Sequence, residues 1–460
     1  MNRTRLKTLE WRYAEAEAES SNSAPGEKQL TLINGIALIV GLQIGSGIFS
    51  SPGVIVAHTQ SASASLVIWV IAALLAWTGA SSFAELGASL PRNGGAQAYL
   101  AYTYGPLVSY LFTWTAILLL SPGTKAVNSL VFAEYLNRVL WNATRGDDAP
   151  SEIIPNWVIN TTAVAVVIFV VILVVGTRSL GPRAAVILTC IKVLALLSVI
   201  VLGFMNLFLG RDTVHPYMKP ATEPPPTVAS YAQALYAGLW AFDGFNQANY
   251  VAGEMRHPAR DIPRAIHLSM GLVAVLFFFA NVAYFSVLDR AAIARSNTVA
   301  LDFGWALFGR AGGMFFALVV ALSCLGVLTG SLFTSARVIY AAARNGQLPR
   351  TFGVLDEHRG TPVRAVLLQA AFVIALIFLG GGFRALVRIA VVALWGFYFL
   401  TVFAVIILRV REPDLPRPYR TWIITPLTFC AVTIFLLCVP AVAAPRETLV
   451  VVCADYMATG

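Results

Sequence analysis

Long apolar stretches, separated by short polar or basic segments, repeat along the whole chain. They fall at 31–57, 64–86, 97–120 running on to about 141, 157–175, 184–209, 229–251, 267–288, 312–342, 363–380, 386–408 and 421–440, with a shorter one from about 447. Most run for about 20 residues, the length a helix needs to cross a hydrocarbon core. The pattern predicts an all-α polytopic membrane protein with 11 to 12 transmembrane helices, the last of them short.

Two stretches carry residues that loosen a helix. The first contains "QIGSGIFSSPG" (43–53), and the sixth reads "ALYAGLWAFDGFNQANYVAGEM" (234–255), with Asp243 and Gly244 near its middle. Unsatisfied backbone is costly in lipid, so non-helical backbone there must be buried in protein or line a cavity. The two breaks are five spans apart. Interrupted helices at corresponding positions of two halves point to a secondary transporter built from inverted repeats. Unwinding at Gly45, Ser46 and Gly47 would free N–H groups at the start of a half-helix, where a carboxylate binds well. Unwinding near Asp243 would free carbonyls that accept from an ammonium. A zwitterion therefore fits between the two. The alternative is that these glycines only let helices pack closely.

Composition and charge agree with a membrane protein. Charged residues make up 12% and hydrophobic residues 58%, against about 25% charged in soluble domains. The net charge of +9 does not call for nucleic acid, because it lies in loops. With residue 1 in the cytosol, the inside segments hold 19 Lys and Arg and the outside segments 9, which predicts a cytosolic N-terminus. That orientation puts the sequon Asn142-Ala143-Thr144 outside. Residues 1–28 are polar, with the stretch "AEAEAES", and read as a disordered tail without a cleavable signal peptide. Cys190, Cys324, Cys430, Cys438 and Cys453 lie in apolar runs without CxxC spacing. The five histidines show no metal-ligand spacing, and GxxxxGK[ST], HExxH and GxSxG are absent. No catalytic, metal or cofactor site is expected. An intramembrane enzyme would need a nucleophile–base or metal pair that these spans lack.

Several segments, in the right order, carry a family resemblance. "IGSGIFSSPG" (44–53), "FAELGASLPRNGGAQAYL" (83–100), "SLFTSARVIYAAARNGQLP" (331–349) and "LRVREPDLPRPYR" (408–420) resemble the L-type amino acid transporters, the light subunits of heteromeric amino acid transporters. These belong to the amino acid–polyamine–organocation superfamily. The resemblance implies a LeuT-like 5+5 inverted repeat with helices 1 and 6 broken. It divides the chain into a cytosolic tail (1–29), a first repeat (30–209), a second repeat (229–408), and helices 11 and a shortened 12 (421–460).

It also implies roles. The substrate carboxylate would meet Ser46 and Gly47, with Gly45 allowing the turn. The amine would meet carbonyls of Gln43 or Ile44 and of Trp240 and Asp243. Trp240 aligns with an aromatic gate, Asn246 with an asparagine beside the site, and Trp395 with a tryptophan of the side-chain pocket. Lys192 stands where sodium-coupled relatives bind sodium. It would brace the unwound first helix or carry a proton; a snorkelling or packing lysine is the plainer alternative. Asp243 departs from the small residue common in the family. It could pair a cationic substrate, bond freed backbone N–H groups, or stay protonated. Lys125, a second intramembrane cation, has no assigned role. The loop 142–155 lacks the cysteine through which animal light subunits join a heavy chain. A stand-alone permease of the fungal type fits better, with membrane lipid and an amino acid substrate as its partners. A rim of Trp240, Phe242 and Trp395 suggests large neutral side chains such as methionine or leucine, carried across the plasma membrane by exchange or proton symport. A cationic amino acid or polyamine transporter using Asp243, and a transporter-like nutrient sensor, are the alternatives.

Overall fold

The computed structural model describes residues 30–92, 94–145, 154–176, 182–209, 226–344, 348–356, 361–379 and 383–443. The tail 1–29, the side chains of the sequon at 142–144 and the short segment from 447 lie outside them.

The expected break in span one is present. It is two helices, α1 (Leu32–Gln43) and α2 (Ser46–Thr59), parted at Ile44 and Gly45. Span two is α3 (Ala62–Ser89), started by Ser61, whose side chain accepts from the Ala64 N–H at 3.3 Å. Span three departs from expectation. Residues Ala96–Tyr104 form a separate short helix, α4, because Gly105 turns the chain at φ 96° and Pro106 opens α5 (Pro106–Thr115). A π-turn at Ala116–Leu120 then leads into α6 (Ser121–Arg145). Spans four and five are α7 (Asn156–Gly176) and α8 (Pro182–Phe208).

Span six is broken as well. α9 (Val228–Ala241) stops, the chain turns through Phe242 to Asn246, and α10 (Gln247–Tyr250) follows. Span seven is α11 (Pro258–Val287). The stretch 289–311, expected as an outside loop, is instead largely helical. It holds α12 (Arg290–Arg295) and the start of α13 (Val299–Arg344), which bends at Gly309 and continues as span eight. Five charged residues hide the apolar spacing of Ile293, Val299, Leu301 and Phe303, all buried. Phe303 packs edge-on against Tyr284 at 5.6 Å and Phe316 at 5.8 Å. α14 (Val363–Leu379), α15 (Phe383–Arg411) and α16 (Ile424–Ala443) complete the described helices.

Eight helical segments among the described residues are long and apolar enough to cross a membrane. The shorter apolar helices Val363–Leu379 and Ile424–Cys438, together with the broken span six, account for the rest of the eleven full stretches. The architecture is that of an all-α polytopic membrane protein. Its outer faces carry exposed apolar side chains such as Ile172, Leu194 and Leu322, suited to lipid. Around the two breaks, α2 and the second half of α9 are buried, from Ser46 to Gly53 and from Ala234 to Ala241.

One buried ion pair fastens the bundle at the end of α3. Glu85 accepts from Arg409 Nε at 2.9 Å, Arg409 Nη2 at 2.5 Å and the Thr421 N–H at 2.9 Å. Arg417 Nε lies 3.7 Å away. The carboxylate thus joins α3, α15 and the segment leading to α16. Removing one member of a buried pair leaves the other charge unpaired, at roughly 3–5 kcal/mol. Glu85→Ala should therefore lower the melting temperature of the detergent-solubilised protein markedly, whereas Asp414→Ala, at an exposed position of the same segment, should change it little. Equal shifts would show that the Glu85 pair is not the fastening.

Candidate functional site

The two breaks face each other. Gln43, at the end of α1, donates from Nε2 to the Phe242 carbonyl in span six at 2.8 Å and contacts Met270 Sδ at 3.2 Å. A Cβ on Gly47 would lie 2.6 Å from Ala241 Cα, so only glycine permits this approach of α2 to α9. Gly244 adopts φ 104°, and a Cβ there would sit 3.2 Å from Leu42 Cβ. Glycine thus serves close approach at one break and the left-handed turn at the other.

The freed backbone groups of span one are taken up by its neighbours. In a continuous helix the Gly45 N–H would reach the Gly41 carbonyl; here it bonds Gln43 O at 2.9 Å. Lys192 Nζ, 6% exposed, donates to Gly41 O at 2.8 Å instead. Thr189, one turn earlier on α8, donates to Ala37 O at 3.0 Å, and Ser323 of α13 reaches Ile44 O at 3.3 Å. The opposite edge differs. α2 begins at Ser46 after Gly45, which has no side chain to cap it. The first N–H groups of a helix have no partner within the helix. Here they belong to Ser46 and Gly47, which line a cavity of about 360 Å³.

Span six unwinds through short turns. The Phe242 N–H bonds Gly238 O at 3.2 Å, Asp243 N–H bonds Trp240 O at 3.2 Å, and Gln247 N–H bonds Gly244 O at 3.2 Å. Tyr398 on α15 donates from its hydroxyl to Asp243 Oδ1 at 2.7 Å and accepts from Asn246 Nδ2 at 3.2 Å. The Asp243 carboxylate is therefore held by a phenol and stands in the cavity wall.

Of the residues singled out in the sequence, Gln43, Gly45, Ser46, Gly47, Lys192, Trp240, Asp243 and Asn246 line this one cavity. Ile44 is buried beside it and contributes its carbonyl to Ser323. Trp395 stands a layer back, stacked on Phe429 at 5.2 Å and edge-on to Tyr398 at 6.1 Å. Phe242 also turns away, against Phe277 at 5.1 Å and Trp69 at 5.9 Å. Of the expected aromatic rim, only Trp240 lines the cavity. Tyr398, Thr189, Asn128 and Gln369 were not anticipated. Tyr398 follows Trp395 by three residues and Thr189 precedes Lys192 by three, so a helical count from each would have found them.

The arrangement offers unpaired N–H groups at a helix start on one side and turn carbonyls on the other. It can hold a small molecule that carries an anion and an ammonium close together. The profile of a family described as "Amino acid permease" matches residues 30–454. The chain is 32% identical over 420 residues to b(0,+)-type amino acid transporter 1 of Mus musculus, covering 91% of this chain and 84% of that one. It is 30% identical over 422 residues to the cystine/glutamate transporter of Homo sapiens (92% and 82%). It is 32% identical over 429 residues to Asc-type amino acid transporter 1 of Mus musculus (91% and 77%).

Overpacking a tight contact costs about 1–3 kcal/mol, or roughly five-fold and more in an equilibrium. Gly47→Ala should weaken ligand binding by at least that factor, and adding Ala241→Gly should restore part of the loss. Failure of the second substitution to help would mean that Gly47 serves the backbone turn alone.

Proposed function

The chain belongs to the amino acid permease family, and from that premise we propose that it is a secondary transporter carrying amino acids across a membrane by alternating access. The observation that carries this reading is the cavity between two facing breaks, with the α2 N-terminus on one wall and the turn of span six on the other. The α-carboxylate sits on the Ser46 and Gly47 N–H groups, where the helix dipole favours it. The α-ammonium meets carbonyls from Gln43 or Ile44 and from Trp240 or Asp243. Residues 30–209 and 229–408 are the two repeats, and rocking of one against the other opens the cavity to alternate sides.

Trp240 closes over the side chain, and the aliphatic wall of Ile117, Leu120, Val327 and Leu394 suits the stem of a long one. Large neutral residues such as methionine and leucine are the starting class. A cationic substrate pairing with Asp243 is the alternative, since Tyr398 donates to Oδ1 and leaves the other carboxylate oxygen able to accept. Lys192 braces span one through Gly41 O and, if it releases a proton on each cycle, couples uptake to a proton gradient. The protein works in the plasma membrane with its N-terminus in the cytosol. It acts without a disulfide-linked heavy chain, since the loop 142–155 has no cysteine.

Uptake of radiolabelled amino acids by proteoliposomes containing only this chain tests the proposal. Concentration-dependent, saturable uptake is expected. Binding without uptake would identify a sensor instead. Trp240→Ala should raise the KM for methionine more than that for alanine, by about two- to ten-fold, since a methionine sulfur on an aromatic ring is worth about 0.3–1.5 kcal/mol. Equal changes would remove the gating role. Lys192→Arg keeps the charge but cannot release a proton. If Lys192 carries the proton, wild-type uptake rises with an inside-alkaline gradient and the arginine variant loses that response. Uptake indifferent to the gradient in both leaves Lys192 as a brace alone.

A further inference from the structure

The cavity holds a cation that the reading above does not use. Lys125 on α6 is 3% exposed and lines the cavity. Its Nζ donates to Ser121 Oγ at 2.5 Å and to Ser121 O at 3.1 Å, which leaves one of its three N–H donors unused. No Asp or Glu among the described residues pairs with it. The other two charged residues of the cavity wall each bond one protein group. Lys192 is on the Gly41 carbonyl and Asp243 is on Tyr398. A buried ammonium satisfied only by a neutral serine is expensive within a membrane.

A second, independent feature lies on the same side. Gln369 of α14 is 0% exposed and lines the cavity, and neither its Oε1 nor its Nε2 has a hydrogen-bond partner. α14 packs directly against α6 and against the π-turn that precedes Lys125. Two neighbouring walls of the cavity therefore present an ammonium with a spare donor and an amide N–H with no acceptor. Orphaned buried donors of this kind are rare unless a ligand completes them. A substrate whose α-groups occupy spans one and six has its side chain left with the walls from spans three, eight, nine and ten. Lys125 and Gln369 stand on two of these.

We infer that Lys125, aided by Gln369, is a specificity site for a carboxylate at the end of the substrate's side chain. The chain then takes acidic amino acids beside the large neutral ones, and prefers an acidic residue to its neutral isostere. This rests on the placement of the α-groups proposed above. The aliphatic wall receives the methylene stem, and the terminal carboxylate accepts from Lys125 Nζ and Gln369 Nε2.

L-glutamate and L-glutamine share a shape and differ in that charge. Thermal stabilisation of the detergent-solubilised full chain, titrated with each and with L-methionine, gives their apparent affinities. A charge-assisted hydrogen bond is worth about 1.5–3 kcal/mol, so glutamate should bind at least about ten-fold more tightly than glutamine. Lys125→Met should reduce that ratio by about the same factor, Gln369→Leu by less, and Lys125→Arg should keep glutamate preferred. The wild-type ratio needs no variant. A value of one or below overturns the inference, and so does a ratio unchanged in Lys125→Met. If glutamine and methionine stabilise the protein and glutamate does not, the Lys125 site fails while the transport reading stands. If no amino acid stabilises it, the reading of spans one and six fails first.

Discussion

A backbone that leaves its helix inside a hydrocarbon layer must find other partners for the groups it frees. That constraint governs spans one and six. At Gly41 the lost helical donor is replaced by Lys192, a charged side chain whose own burial would otherwise be unfavourable. Each group makes the other tolerable. At Phe242 the acceptor is used by Gln43, so the end of α1 and the turn of span six share one hydrogen bond. At the start of α2, where Gly45 brings no capping side chain, N–H groups are left to face a cavity. The place where the constraint is left unmet by the protein is the place where a ligand can meet it.

Close packing makes the two breaks one unit. Gly47 admits Ala241, and Gly244 turns beside Leu42. Movement of either half-helix of span one must therefore move the turn of span six or open a gap beside it. Protein interiors are dense and change between discrete arrangements more readily than they deform. A substrate bound across both breaks would sense and bias such a change, which is what alternating access requires. The Glu85–Arg409 pair at the end of α3 supplies a firm frame against which that movement can occur.

Much of this was legible in the chain. Apolar stretches of membrane-spanning length marked the spans, and glycines at 45, 47 and 244 marked the breaks, because few other reasons place them inside a span. What was missed had physical causes. Span three was read from 97 because α4 carries no charged residue and runs straight into the apolar stretch; only the Gly105-Pro106 step betrays the turn. The helices at 290–308 were hidden by charged residues that face away from a buried apolar row. Trp395 was placed at the cavity by the family resemblance, and Phe242 by its type and its position beside the break. Which side of a helix faces a cavity depends on packing with Phe429 and Trp69, and no local pattern encodes that. Tyr398, by contrast, sat one turn from a residue already chosen.

The central claim is that the two breaks recognise the α-carboxylate and the α-ammonium of one molecule together. Competition binding with altered backbones of a single good ligand tests it most directly. The amino acid itself should compete fully. Its decarboxylated amine and its deaminated acid, each with the same side chain, should compete at least about a hundred-fold less well, since each leaves buried polar groups unpaired. An amine that competes as well as the parent amino acid would contradict the account, because the α2 N-terminus would then have no part in binding.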